Sequence, residues 1–199
     1  LIVNKNKLNI LDCTLRDGGY YNNWHFKKDL INEYLRVMDI IKVDYVEIGF
    51  RFIDKVKTKG PTAYSEESFL KSLKIPKNLK LGVMVNAADF VNSKNIIELA
   101  KKNFKQKKNS VISLVRIACH HQEVKPILPL VKWLKQSGYK VGVNIMQIPE
   151  LSSQEINDTV LQVKKSKADI LYFADSLGSL DTTKTKKIIK NIKKNWKGS

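Results

Sequence analysis

Cysteine is nearly missing from these 199 residues: Cys13 and Cys119 are the two it has. Their spacing fits no Cys-based metal motif, and two thiols allow one disulfide at most, so a disulfide-stapled scaffold is excluded. That usage suits a reducing cytoplasm, which is the expected location. No apolar run approaches the roughly 20 residues of a membrane helix. The first residues, Leu1-Ile2-Val3-Asn4-Lys5, carry no secretory pattern. No Pro-, Ser- or Gly-rich linker divides the chain, so one domain over residues 1–199 is expected. Acidic residues are scarce too, with 19 Asp and Glu against 36 Lys and Arg, a net charge of +17. An excess of that size invites a nucleic-acid partner. The lysines, however, are spread along predicted helices and form no arginine-rich arm. Neither a nucleic-acid nor a membrane partner is therefore expected.

What is present is alternation. Apolar runs at Leu8–Cys13, Tyr45–Phe50, Leu81–Val85, Val111–Ile117, Val141–Ile145 and Ile170–Ala174 read as strands. Between and after them, helical spacing predicts helices near Lys27–Ile41, Ser65–Leu73, Ser93–Lys102, Val124–Gln136, Ser153–Lys165 and Thr183–Trp196. Gly138 closes the fourth helix, Ser65 is a candidate cap for the second, and Gly60-Pro61-Thr62-Ala63-Tyr64 reads as a turn. Strand–helix alternation of this kind predicts a parallel sheet with right-handed crossovers. The choice lies between an open doubly wound sheet and a TIM-type (β/α)8 barrel. Six strand ends each carry a polar residue: Asp17, Glu47, Asn86, His120, Gln147 and Asp175. A doubly wound sheet gathers such residues near one switch point, so this spread favours the barrel. A full barrel needs eight units and about 250 residues; this chain supplies about six. The expected fold is an α/β, TIM-type barrel that is incomplete. Its last strand would have an uncovered edge able to pair with another chain, so a homo-oligomer is expected.

The first strand ends in Leu11-Asp12-Cys13-Thr14-Leu15-Arg16-Asp17-Gly18-Gly19-Tyr20, where two glycines read as a turn. Arg16 offers a planar fork of donors suited to a carboxylate or enolate oxygen. Asp17 is a hard oxygen ligand for Mg²⁺ or Mn²⁺. Glu47 lies between Val46 and Ile48, where an unpaired carboxylate is costly, so it needs Arg16 or another cation beside it. A plain salt bridge under the rim would satisfy the same two residues.

Thr14-Leu15-Arg16-Asp17-Gly18, followed by Val46-Glu47-Ile48-Gly49-Phe50, resembles the DRE-TIM metallolyase superfamily, the HMG-CoA lyase-like group. The Asp, Arg and Glu of that name stand here as Asp17, Arg16 and Glu47. Arg116-Ile117-Ala118-Cys119-His120 and Ala174-Asp175-Ser176-Leu177-Gly178 resemble its 4-hydroxy-2-oxovalerate aldolase branch. The resemblance implies a divalent metal (Mn²⁺ or Mg²⁺) with Asp17 as a ligand, Arg16 stabilising an enolate, and Glu47 orienting Arg16. It implies a C–C bond lyase or aldolase acting on a small 2-oxo acid. An acyl-CoA-dependent synthase of the isopropylmalate or homocitrate type, and a non-catalytic barrel fragment, are the other readings.

Two departures stand out. The family carries a His-x-His pair on strand seven; this chain has three histidines, His25, His120 and His121, in no such spacing. It resembles a C-terminally truncated member, with weak metal binding expected. The aldolases also place a histidine base three residues after the metal aspartate, where this chain has Tyr20, a poor base at neutral pH. His120 matches a strand-four histidine of that branch and is a candidate catalytic residue; it also reads as a rim histidine bonded to a loop carbonyl. Asn144, Gln147, Asp175 and Ser176 are candidate substrate-binding residues, Asp175 and Ser176 being equally suited to capping the sixth helix. His25 sits in a loop able to fold over the site. Tyr64 reads as pocket wall or core, and Cys13 as a small packed hydrophobe.

Overall fold

The computed structural model describes residues 8–198; the N-terminal run read above for a targeting signal lies outside them. Six strands form one sheet, all parallel and in sequence order: β1 (Leu11–Asp12), β2 (Tyr45–Phe50), β3 (Lys80–Asn86), β4 (Ile112–Cys119), β5 (Lys140–Ile145) and β6 (Ile170–Phe173). A doubly wound sheet reverses its order at a switch point. This one never does, and it curls into a half-barrel with helices between its strands. The helices are α1 (Thr14–Asn22), α2 (Lys28–Ile40), α3 (Pro61–Tyr64), α4 (Glu67–Lys71), α5 (Ala87–Val91), α6 (Ile96–Asn103), α7 (Val124–Gln136), α8 (Ser153–Lys165) and α9 (Thr182–Asn195). No helix among the described residues is long and apolar enough to cross a membrane.

Strand parity divides the side chains between two faces. Val46, Ile48, Leu81, Val83, Val85, Val115, Ile117, Val141, Val143 and Ile145 belong to one large core with Ile31 and Leu35 of α2, Ile127, Leu130, Val131 and Leu134 of α7, and Val160 and Val163 of α8. Each fully buried aliphatic chain contributes about 1.5–3 kcal/mol. The opposite parity forms two small separate clusters. Tyr45, Leu114 and Ile170 make one; Trp24, Phe50, Met84 and Ala118 make the other, nearer the strands' C-terminal ends. Glu47, Arg116 and Tyr172 share the parity of the first cluster, two residues further along β2, β4 and β6. Contribution of one layer from alternate strands is the barrel pattern. β2 changes phase at a register irregularity between Glu47 and Phe50, which brings Phe50 to the inner side.

Several boundaries differ from those the sequence suggests. The first strand is two residues long, and the glycine-containing stretch after it is not a turn but α1. The reason is Trp24: a Cβ at Gly19 would lie 2.0 Å from its indole ring. Gly19 is there for that close approach, and the chain turns later, at Asn23 and Trp24, both with positive φ. The segment 60–64 is likewise helical, with Pro61 at its first position as proline's fixed φ favours. Ser65 ends that helix in a left-handed conformation and caps nothing that follows. The third predicted helix is α6, starting three residues later and capped by the Asn95 side chain, and α5 is a short helix before it that the sequence did not suggest. α7 and α8 run over the predicted residues, α8 opening on a Ser152–Glu155 capping box.

Candidate active site

Arg16 and Asp17 stand in the first turn of α1, just past the C-terminal end of β1. Glu47 comes from the middle of β2, where its residue is 0 % exposed. The buried carboxylate is paired as physical cost demands: Arg16 Nε donates to Glu47 Oε2 at 2.8 Å, and Arg116 Nη1 donates to the same oxygen at 3.2 Å. Arg16 Nη1 also pairs with Asp17 Oδ1. Burial works against the Arg16 charge, but Glu47 and Asp17 outweigh it and hold the guanidinium above its ordinary pKa. Arg16 has little exposed side chain, whereas Asp17 is largely open to solvent.

Arg116 is the residue the sequence reading left without a role. It lies in an apolar run of β4, as Glu47 does in β2, and that shared signature of a charge among aliphatics was the available signal. Its guanidinium reaches three elements. Besides Glu47 it donates to Cys13 Sγ at 3.0 Å, and the Tyr172 ring lies 4.5 Å from its Cζ. Gly142 makes room for this stack, since a Cβ there would fall 2.5 Å from the tyrosine ring. Cys13 is thus no plain packed hydrophobe but a hydrogen-bond acceptor. Burial and then Glu47 push its thiol pKa up, against the pull of the two arginines. Burial likewise pushes the Tyr172 phenol up to about 12.

Tyr20 lies on the outer side of this group. Its ring meets Trp24 edge-on at 4.9 Å and Phe50 at 6.0 Å. Burial raises its phenol pKa despite the nearby Arg16, so the phenol stays protonated at neutral pH, able to donate a hydrogen bond and unable to act as a base. Arg16 Cζ itself lies 5.8 Å from the Phe50 ring. The mouth therefore combines a polar floor with an aromatic wall.

The remaining predicted residues lie at the C-terminal ends of later strands, and among the described residues no hydrogen bond or ion pair joins them to the Arg16–Glu47 group. His120 follows β4, and its backbone N–H donates to Glu123 Oε2 at 2.8 Å. Asn144 is buried on β5, beside Gly142 in the inner series. Gln147, with positive φ, precedes a short 3-10 turn. Asp175 accepts from the backbone N–H groups of Ser179 (3.0 Å) and Leu180 (2.7 Å), and these bonds hold its carboxyl below the usual range. It shapes its own loop, and Ser176 is exposed. Neither caps the last helix: Asp181 does, accepting from Lys184 N at 2.7 Å. His25 is exposed and bonds the Thr58 carbonyl at 3.2 Å, His121 bonds Thr159, and the Tyr64 hydroxyl fastens the backbone of Val56.

Among the described residues no three His, Cys, Asp or Glu side chains come together to hold a metal ion. Asp17 offers one carboxylate, already shared with Arg16. A cation such as Mg²⁺ takes about six oxygen ligands, of which protein commonly supplies one or two carboxylates and water and substrate the rest. The described residues therefore do not make a metal-binding shell by themselves.

No family model matches the chain. Among curated proteins it is 21% identical over 172 residues to an oxaloacetate decarboxylase of Mycobacterium tuberculosis, covering 85% of this chain and 48% of that one. It is 25% identical over 190 residues to a 4-hydroxy-2-oxovalerate aldolase of Carboxydothermus hydrogenoformans, covering 94% and 54%. The chain thus spans about half the length of the curated relatives it matches. Among solved structures, the N-terminal domain of a candidate aldolase from Bacteroides vulgatus superposes with a TM-score of 0.77 at 28% identity, covering 94% of this chain and 60% of that one. The HMG-CoA lyase of Pseudomonas aeruginosa shares the fold, with a TM-score of 0.70 at 12% identity over 95% of this chain and 64% of its own. With the half-barrel and the Arg16, Asp17, Glu47 set, these relatives place the chain in the DRE-TIM metallolyase superfamily.

Proposed function

We propose that the chain carries the enolate-stabilising site of a carbon–carbon lyase or aldolase acting on a small 2-oxo acid. The observation that carries this reading is the buried Glu47 pinning Arg16 at the open end of the half-barrel. An oxaloacetate decarboxylase and a 4-hydroxy-2-oxovalerate aldolase, by those names, each break a bond to the carbon beside a ketone. Both cleavages leave an enolate of a 2-oxo acid. The negative charge on its oxygen needs a preorganised donor in a sheltered place. Arg16 fills that role. It is always charged, it is mostly shielded from water, and Glu47 holds its Nε so the guanidinium plane is fixed before substrate arrives.

The other residues take supporting roles in this reading. Tyr20, whose phenol stays protonated, donates a hydrogen bond at the mouth. His120 is the candidate base, and Asn144 and Gln147 the candidate partners for substrate oxygens. Phe50 and Trp24 exclude water from one side of Arg16. The divalent-metal dependence rests on Asp17 alone among the described residues.

The test is pyruvate release from a 4-hydroxy-2-oxo acid by the full chain, with and without added Mn²⁺. Arg16→Ala should cost about 10²–10³ in turnover, the scale for removing one oxyanion donor. Turnover unchanged in Arg16→Ala would remove the basis of the assignment. Release of free CoA from acetyl-CoA in place of pyruvate release would favour the synthase reading.

A further inference from the structure

Glu47 uses its two oxygens unequally. Oε2 carries both guanidiniums, Arg16 at 2.8 Å and Arg116 at 3.2 Å. Oε1 is buried, and no described residue donates to it. A carboxylate beside an arginine ordinarily takes the bidentate fork, with two parallel N–H···O bonds. Glu47 has a free oxygen for that, and Arg16 has the matching arm. Its Nε donates to Glu47, its Nη1 pairs with Asp17, and its Nη2, on the same edge as Nε, has no acceptor among the described residues. The fork is nevertheless not made. What distinguishes this carboxylate from an ordinary partner is the second guanidinium on the same oxygen, Oε2.

We propose that Arg116 is a positioning residue: by sharing Glu47 Oε2 it keeps that carboxylate single-pronged on Arg16 and leaves Arg16 Nη2 free for a carboxylate or enolate oxygen of the substrate. The inference rests on the reading of Arg16 as the anion-binding group. The buried part of the group, Arg16, Arg116 and Glu47, carries one net positive charge, which Asp17 balances from the solvent side. Arg116 is itself fixed, 8 % exposed in its side chain and held by Cys13 Sγ and the Tyr172 ring. It touches no substrate in this scheme and acts through Glu47. Were Arg116 removed, Glu47 would turn Oε1 onto Nη2 and close the fork that the substrate needs.

The probe is oxalate, a planar dianion with the shape of a 2-oxo acid enolate, titrated calorimetrically into the full chain beside KM and kcat for pyruvate release. Arg116→Gln should weaken oxalate binding and raise KM by about 10- to 100-fold, with a smaller change in kcat. Arg116→Lys keeps the charge without the planar fork and should recover part of the loss. In a Glu47→Gln background the same Arg116→Gln change should move oxalate affinity by less than about twofold, because the residue acts through that carboxylate. An arginine that merely neutralises Glu47 would lower melting temperature and leave KM of the folded enzyme alone. If Arg116→Gln and Arg116→Lys bind oxalate like the parent while Arg16→Ala has lost it, Arg116 has no positioning role and the functional reading stands. If the parent neither binds oxalate nor turns over, the functional reading fails and this inference falls with it.

Discussion

Glu47 is the residue on which most depends, because it is a carboxylate buried from solvent with two cations to satisfy. Removing one partner of a buried ion pair leaves the others uncompensated in a low-dielectric place, which costs about 3–5 kcal/mol. Here Arg116, 8 % exposed in its side chain, would lose its carboxylate partner, and Arg16, 13 % exposed, would keep only the solvent-facing Asp17. Glu47→Ala is therefore expected to lose about 3–5 kcal/mol in urea unfolding, well beyond the effect of breaking an exposed pair such as Arg36–Glu33. Glu47→Gln, which keeps an acceptor for both arginines, should lose less. A loss below about 1 kcal/mol for the alanine variant would mean that the two arginines separate and find water, and that Glu47 does not hold Arg16 in place.

The helix α1 shows where local rules compete. Its two adjacent glycines look like a turn, and as helix interior residues each costs roughly 1 kcal/mol against alanine. At Gly18 an added Cβ would meet only the Phe26 ring edge at 3.6 Å, ordinary contact, while at Gly19 it would meet the Trp24 indole at 2.0 Å. Propensity should win at the first and packing at the second. Gly18→Ala is expected to stabilise by up to about 1 kcal/mol, and Gly19→Ala to destabilise by about 1–3 kcal/mol, both read from denaturant midpoints at constant m. Equal effects would mean that Trp24 moves aside freely. The same contest explains what the sequence could convey. Strand periods and the long amphipathic helices α2, α7, α8 and α9 are local signals, and they were readable. So was the Arg16–Glu47 pair, since burial in Val46-Glu47-Ile48 forces a cation nearby. The α1 helix rests on the packing of Trp24 over Gly19, close in sequence but a contact that no periodicity or turn rule encodes. The Arg116 bridge depends on distant segments, meeting Cys13, Glu47 and the Tyr172 ring over Gly142, and no window of sequence contains both members of such a pair.

The whole half-barrel sets charge against an open edge. β6 ends the sheet, its Leu171 and Phe173 are half-buried, and Phe173 lines a groove with Ile189, Ile192 and Trp196 of the last helix and its end. Unpaired strand edges with apolar neighbours favour association. The chain also carries a net charge of +17, and two like copies repel one another. Lys193 and Lys197 line the groove, and α9 carries further lysines from Lys184 to Lys194, which concentrates that repulsion there. Repulsion between exposed charges is screened over a Debye length of about 30 Å at 0.01 M salt and about 8 Å at 0.15 M, whereas burial of apolar surface is not screened. Salt should therefore shift the balance toward association. Sedimentation is expected to show monomer at about 0.01 M NaCl and a concentration-dependent larger species at about 0.15 M and above, with Phe173→Lys restoring monomer at the higher salt. A chain that stays monomeric across that range would show that the β6 edge and α9 are already satisfied within one copy. A dimer that tightens as salt is lowered would instead require an attractive pairing of charges, which a surface this basic does not offer.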